Sequence, residues 1–148
     1  MRANYRIRHA GIDDMQAISS LMQGLGFNHT VEEILRRWQL VRDRISHPVL
    51  IAYEEETAVG LIALHITPLL FYPEPLARIT TLVVAPNYRR RGFGRSLVAA
   101  AECLAKEAGC DTIELTTGNH RKDAHTFYRN LGFAASALRM EKRLSKLG

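Results

Sequence analysis

A chain of 148 residues, 47% hydrophobic and 24% charged, is long enough for one domain with a real core and has an ordinary soluble balance. A formal charge of +5 and a pI near 9.6 leave two partner classes, nucleic acid or an anionic small molecule. Two cysteines, Cys103 and Cys110, build neither a disulfide framework nor a metal pattern, and the apolar run over 58–64 is too short for a membrane span.

Tyr5–His9 alternates and predicts a first strand. Asp13 or Asp14 can cap a helix running to about Leu25, with Met15, Ile18, Leu21, Met22 and Leu25 on one face. Thr30 with Glu33 is a capping-box signature, and Val31, Ile34, Leu35, Trp38, Val41 and Ile45 then recur at helical spacing. A strand over 49–53, a polar turn from Glu54 to Thr57 and a partner strand over 58–67 predict a hairpin. A proline-marked loop, 68–75, holds Phe71 and Tyr72, and a strand over 79–85 follows. The next helix turns Leu97, Val98, Ala101, Leu104, Ala105 and Ala108 inward and ends at Gly109. A strand over 112–117, a helix over 122–131 stopped by Gly132, and strands over 133–135 and 138–143 complete the chain. There is no repeat and no linker, so 1–148 reads as a single domain with a mixed α/β sheet. The first residues lack the apolar core of a secretory signal, and the expected setting is cytoplasmic.

Between Leu82 and Arg95 the chain passes from a buried-type strand through a basic, glycine-containing turn into a helix. Such a junction cradles anions, because turn amides converge and the helix N-terminus adds partial positive charge. Gly92 and Gly94 let a phosphate approach the backbone, and Arg89, Arg90, Arg91 and Arg95 supply charge around it. A Walker loop needs Gly-Lys-Ser/Thr, which is missing, and a dinucleotide fingerprint needs glycine where Leu97 stands.

Arg89-x-x-Gly92-x-Gly94 after Leu82-Val83-Val84 resembles the acyl-CoA pyrophosphate loop of the GNAT N-acetyltransferase superfamily. Residues 123–133 resemble that family's second cofactor-contacting helix, and the resemblance covers nearly the whole chain. It implies an α/β (α+β mixed) fold, a central mixed and mostly antiparallel sheet of six to seven strands flanked by about four helices. In that fold strands 79–85 and 112–117 splay apart to admit the pantetheine arm. It also implies acetyl-CoA as cosubstrate, held by Leu82, Val83, Val84, Arg89, Arg90, Arg91, Gly92, Phe93, Gly94, Arg95, Asn119 and Phe127. The carboxyl half resembles acetyltransferases of the aminoalkylphosphonate type, so the expected acceptor is a primary amine of a small molecule attacking directly in a ternary complex.

Acetyl transfer to an amine needs a polarised thioester carbonyl, a neutral amine and a proton for the departing thiolate. The resemblance assigns the carbonyl donor to the Val83 or Val84 amide and the general acid to Tyr128. Ala124, Phe127, Tyr128 and Leu131 share one helical face, so Tyr128 points inward with a hydroxyl to satisfy. From a phenol near 10 to a thiol near 8.5, the transfer is uphill by only about 2 kcal/mol. The alternative is a tyrosine at the core edge with a wet hydroxyl. Asn119 holds the pantetheine or simply forms a turn, and the spacing of His120 and His125 matches no metal pair.

The base is less obvious. A primary amine of pKa near 10.4 is about 0.04% neutral at pH 7, roughly 4.6 kcal/mol of deprotonation. Relatives place a carboxylate just ahead of the Leu-Val-Val segment, where this chain has Arg78, Thr80 and Thr81. Thr81 holding a water, with Glu74 or His65 as the distal acceptor, is one solution; an amine arriving neutral is another. By resemblance Phe27, His29, Tyr72 and Arg78 line the acceptor site, and Arg78 suits an amine bearing an anionic group. Rival readings are a protein or peptide N-acetyltransferase, a non-catalytic acyl-CoA sensor and a basic RNA-binding domain. The scattered basic residues oppose the last. No metal, nucleic acid or membrane partner is expected, and a homodimer through an exposed C-terminal strand stays open.

Overall fold

The computed structural model describes residues 4–43 and 45–145, and backbone contacts divide the chain into two units, the first ending at Leu115 and the second starting at Thr116. The first unit holds one five-stranded sheet in the order β1 (Tyr5–His9), β2 (Val49–Glu54), β3 (Thr57–Thr67), β4 (Leu76–Val84) and β5 (Ile113–Glu114). The first three pairings are antiparallel and β5 runs parallel to β4. Only Glu55 and Glu56 connect β2 to β3, and Glu55 takes the positive φ of 54° that so short a turn demands.

Period-two alternation sorts the core into two layers. Ile51, Leu61 and Val83, paired across three strands, meet Met15, Ile18 and Leu21 of α1 (Met15–Gln23) and Ile34 of α2 (Val31–Val41). On the other face Ile66 and Ala77 pack with Ala105 of α3 (Phe93–Glu107) and with Cys110. Strand and helix approach so closely there that a Cβ on Gly60 would lie 2.9 Å from the Val83 carbonyl and 3.1 Å from Leu97 Cδ1. Only glycine fits.

The capping box forms as expected: Thr30 Oγ1 accepts from the Glu33 amide at 3.1 Å and Glu33 returns to the Thr30 amide at 3.2 Å. Asp14 precedes α1 but does not cap it with its side chain. Its buried carboxylate instead takes two bonds from Arg8 at 2.8 Å, the Tyr53 hydroxyl at 2.8 Å and the Gly11 amide at 2.7 Å. These bonds hold Asp14 down at about 2, the Arg8 contact most of all, and fasten β1 to the start of α1.

Several boundaries depart from the sequence reading. Helix α1 stops at Gln23, leaving Leu25 outside it. Helix α2 stops at Val41, and Ile45 lies beyond with 79% of its surface exposed. The Asp43 carboxylate takes the Ile45 amide at 3.0 Å and the Ser46 hydroxyl at 3.1 Å, a local alternative that ends the helix. Strand β4 begins three residues early because Leu76 already pairs with Thr67, and Ala108 lies outside α3 and is exposed. Strand β5 shrinks from six expected residues to Ile113–Glu114, paired only with Ala77 and Arg78. The β3–β4 register shifts at Ala63/Leu64, leaving Thr80 as an extra residue that bends β4 just past those pairs.

The second unit contains α4 (Lys122–Asn130). Gly132 at φ 95° ends it, with Gly132 N–H donating to the Arg129 carbonyl and Phe133 N–H to that of Tyr128, each at 3.0 Å. The expected strands over 133–135 and 138–143 do not form, so the sheet has five strands rather than six to seven. Leu138, Met140 and Leu144 alternate as strand residues would, but they are 83–89% exposed, and an alternating pattern becomes a strand only when an edge takes its backbone. Among the described residues no helix is long and apolar enough to cross a membrane.

Candidate active site

The C-terminal end of β4 presents main chain. Ala85 N–H donates to the Val59 carbonyl at 2.8 Å, so alternation turns the Val83 amide toward β3 and the Leu82 and Val84 amides toward the opposite edge. Arg89 Nε donates to the Val84 carbonyl at 3.0 Å from that opposite side, in agreement. The pairing with β5 covers only Ala77 and Arg78, so these two amides lie beyond the last β4–β5 ladder pair. Of the Val83 and Val84 amides, only that of Val84 points away from β3.

The turn continues the array of donors. Pro86–Tyr88 forms a short 3₁₀ turn, Arg90 and Gly92 adopt left-handed φ of 62° and 91°, and α3 begins at Phe93 with no capping side chain and no acid in its first turn. Its first N–H groups and the positive end of its dipole are therefore available to an anion. Arg89, Arg90 and Arg95 are exposed around the turn. Arg91 behaves differently, pairing with Glu54 at 2.6 Å. Phe93 is buried edge-on against Tyr5 and Tyr88, so it offers the turn its amide rather than its ring.

The N-terminal end of β4 presents side chains. His65, Arg78 and Glu114 are register partners across β3, β4 and β5, on the face that carries Leu61. Arg78 Nη1 lies 2.6 Å from Glu114 Oε2. His65 stacks on His47 with centroids 4.6 Å apart, and its Nε2 lies 2.9 Å from Thr67 Oγ1. His47 Nδ1 is buried without a hydrogen-bond partner among the described residues. Thr81 follows the bulge and is half-buried, while Thr80 donates to the Ala63 carbonyl at 3.2 Å. Phe27 and His29 stack at 5.7 Å, and Ser19 Oγ donates to the His29 carbonyl at 3.0 Å. Tyr72 is exposed and Glu74 half-buried in the loop 68–75.

Asn119, Phe127 and Tyr128 lie in the second unit. Asn119 is exposed, and His125 Nε2 lies 2.8 Å from the Gly118 carbonyl. Tyr128 sits edge-on to Phe127 and Phe133 at 5.1 Å and 5.5 Å. Burial pushes its phenol above the usual tyrosine range, with Arg121 pulling weakly the other way. At neutral pH it keeps its proton.

Sequence reading missed Glu114, His47 and Glu54. Each contacts a partner distant in sequence, and cross-strand register could have signalled only Glu114: pairing His65 with Arg78 and then Glu114 requires the strand order.

Comparison with known proteins bears on the chemistry. A family model described as acetyltransferase (GNAT) family matches residues 12–133. The aminoalkylphosphonate N-acetyltransferase of Salmonella typhimurium is 32% identical over 145 residues, covering 93% of this chain and 90% of its own. The crystal structure of a transcriptional regulator from Bacillus halodurans superposes with a TM-score of 0.85 at 29% identity, over 95% of this chain and 99% of that one. The fold is also that of AAC(6')-Iy, solved with the bisubstrate analogue CoA-S-monomethyl-acetylneamine, with a TM-score of 0.85 at 18% identity over 97% and 100% of the two chains.

Proposed function

We propose that this chain, which belongs to the acetyltransferase (GNAT) family and is an acetyl-CoA-dependent N-acetyltransferase, acetylates a small primary amine carrying an anionic group, by direct attack in a ternary complex. The observation that carries the acceptor reading is the Arg78–Glu114 pair. Because of the bulge at Thr80, Arg78 and Thr81 pair with His65 and Ala63, two residues apart on β3, and so share a face about 7 Å apart, a span that suits a short amine with a charged tail. A guanidinium fork matches phosphonate, phosphate or carboxylate, and Glu114 holds it in place until such an anion competes for it. The similarity to an enzyme named for aminoalkylphosphonates supports the same class.

Bound acetyl-CoA supplies the thioester carbonyl and the departing thiolate. The Val84 amide donates to the carbonyl oxygen, and the amides around Gly92 and Gly94, with Arg89, Arg90 and Arg95, take the diphosphate. Asn119 and Phe127 flank the pantetheine. Thr81 holds the water through which His65, or Glu74, accepts the ammonium proton. Tyr128, kept protonated by burial, gives its proton to the sulfur as the C–S bond breaks. A second reading, transfer to a peptide α-amine, draws on Arg78, Thr80 and Thr81 standing where a carboxylate is expected. An α-amine of reference pKa near 7.7–8.0 needs little deprotonation.

Initial rates over a panel of amines and peptides test the acceptor. Aminoalkyl phosphonates or amino acids should outrun uncharged amines, polyamines and peptides; preference for polyamines or peptides overturns the reading. Tyr128→Phe should lower kcat by about 100-fold. It should also remove an alkaline limb that, for an acid whose pKa is raised, lies above about pH 10.

A further inference from the structure

Arg91 stands in the middle of the cofactor turn, yet its guanidinium is engaged with the protein. Its Nη2 lies 2.6 Å from Glu54 Oε1, with side-chain exposures of 30% and 19%. Its Cζ lies 5.1 Å and 5.4 Å from the Tyr88 and Phe93 ring centroids. Glu54 is the last residue of β2, 37 positions upstream and outside both motifs, and Tyr5 is its register partner on β1. The Tyr5 ring meets Phe93 edge-on at 5.9 Å, so rings and ion pair together join the turn to the edge of the sheet. The backbone on both sides of Arg91 is left-handed, at φ 62° for Arg90 and 91° for Gly92. A non-glycine residue stays in that region only where its surroundings hold it.

We propose that the Glu54–Arg91 pair, seated on Tyr88 and Phe93, is a positioning device that holds the turn amides in their acetyl-CoA-binding arrangement, and that Arg91 is not a phosphate ligand. The inference rests on the acetyl-CoA reading of the turn. It makes a prediction of definite sign. Were Arg91 a phosphate ligand, neutralising Glu54 would release its charge toward the diphosphate and tighten binding. As a positioning pair, the same change loosens the turn and weakens binding.

Calorimetry and initial rates on Glu54→Gln, Glu54→Asp and Arg91→Lys decide it. Glu54→Gln should raise the acetyl-CoA Kd and KM about tenfold, with kcat and the amine KM within about twofold of the parent. Glu54→Asp should recover most of that loss, a rescue that general destabilisation would not give. Arg91→Lys keeps the charge but not the planar fork, and should weaken acetyl-CoA as Glu54→Gln does. Unchanged or tighter acetyl-CoA binding in Glu54→Gln overturns the proposal, as does parental affinity in Arg91→Lys. A parent protein without acetyl-CoA affinity would instead refute the reading of the turn; a normal parent beside an indifferent Glu54→Gln refutes only the pair's role.

Discussion

The two ends of β4 present different kinds of groups to a ligand. At the C-terminal end the groups on offer are main-chain amides, those of Leu82 and Val84 turned away from β3 and those of the turn into α3. At the N-terminal end they are side chains, His65, Arg78 and Glu114, one from each of three strands. Main-chain recognition requires a particular backbone, and a particular backbone requires particular residues in succession, here Gly92 and Gly94 among arginines. Side-chain recognition requires only that three residues meet in space. The first leaves a mark in the linear chain and the second does not.

Substitutions can break or sharpen this contrast. The largest expected effect is at the main-chain end. Gly92→Val forces a β-branched residue to φ 91°, and the strain should weaken acetyl-CoA by about 100-fold, near 2.7 kcal/mol, while the amine KM holds. Steady-state kinetics with each substrate varied would show it, and equal losses for both would erase the distinction. Next comes a change that should touch neither end. Asp14→Asn removes the carboxylate that Arg8 holds at about 2, below the ordinary 3.8, and should cost about 2 kcal/mol of folding stability. A depressed carboxylate stabilises above its unfolded pKa, so denaturant melts of the parent should weaken as pH falls from about 4 toward 2. The variant should lose that slope while both KM values stay put.

Smaller effects belong to the side-chain end. Arg78→Met should raise the KM for an anionic amine about tenfold, near 1.4 kcal/mol, and leave acetyl-CoA affinity alone. Glu114→Gln relieves the competition for Arg78 and should lower that KM by about two- to threefold, a small change because the pair is partly exposed. A matching change in acetyl-CoA affinity for either variant would mean that the two ends act as one site.

The same contrast explains what was legible in the chain. Elements written by local rules survived: β1 at Tyr5–His9, the Thr30 capping box, the turn at Glu55 and the glycine-ended α4. Elements that depend on a distant partner did not. The run over 112–117 has strand character, yet it pairs over two residues because the bulge at Thr80 carries β4 away from it. Residues 138–143 alternate, yet no edge receives them among the described residues. Helix α2 stops short because Asp43 competes for backbone partners, a local signal overridden here by helical spacing that ran on to Ile45. Within the candidate site, the Arg89–Gly94 turn is visible as a run in the chain, whereas the contacts of Glu54 with Arg91 and of Glu114 with Arg78 appear only in the fold.

The central claim is that main-chain amides at the end of β4 and the start of α3 grip the diphosphate of acetyl-CoA. Titrating the intact protein by calorimetry with acetyl-CoA and, in parallel, with S-acetylpantetheine, which keeps the thioester arm but lacks the diphosphate, tests it most directly. The account predicts at least about 100-fold weaker binding of the pantetheine compound. Equal affinity for the two would contradict it.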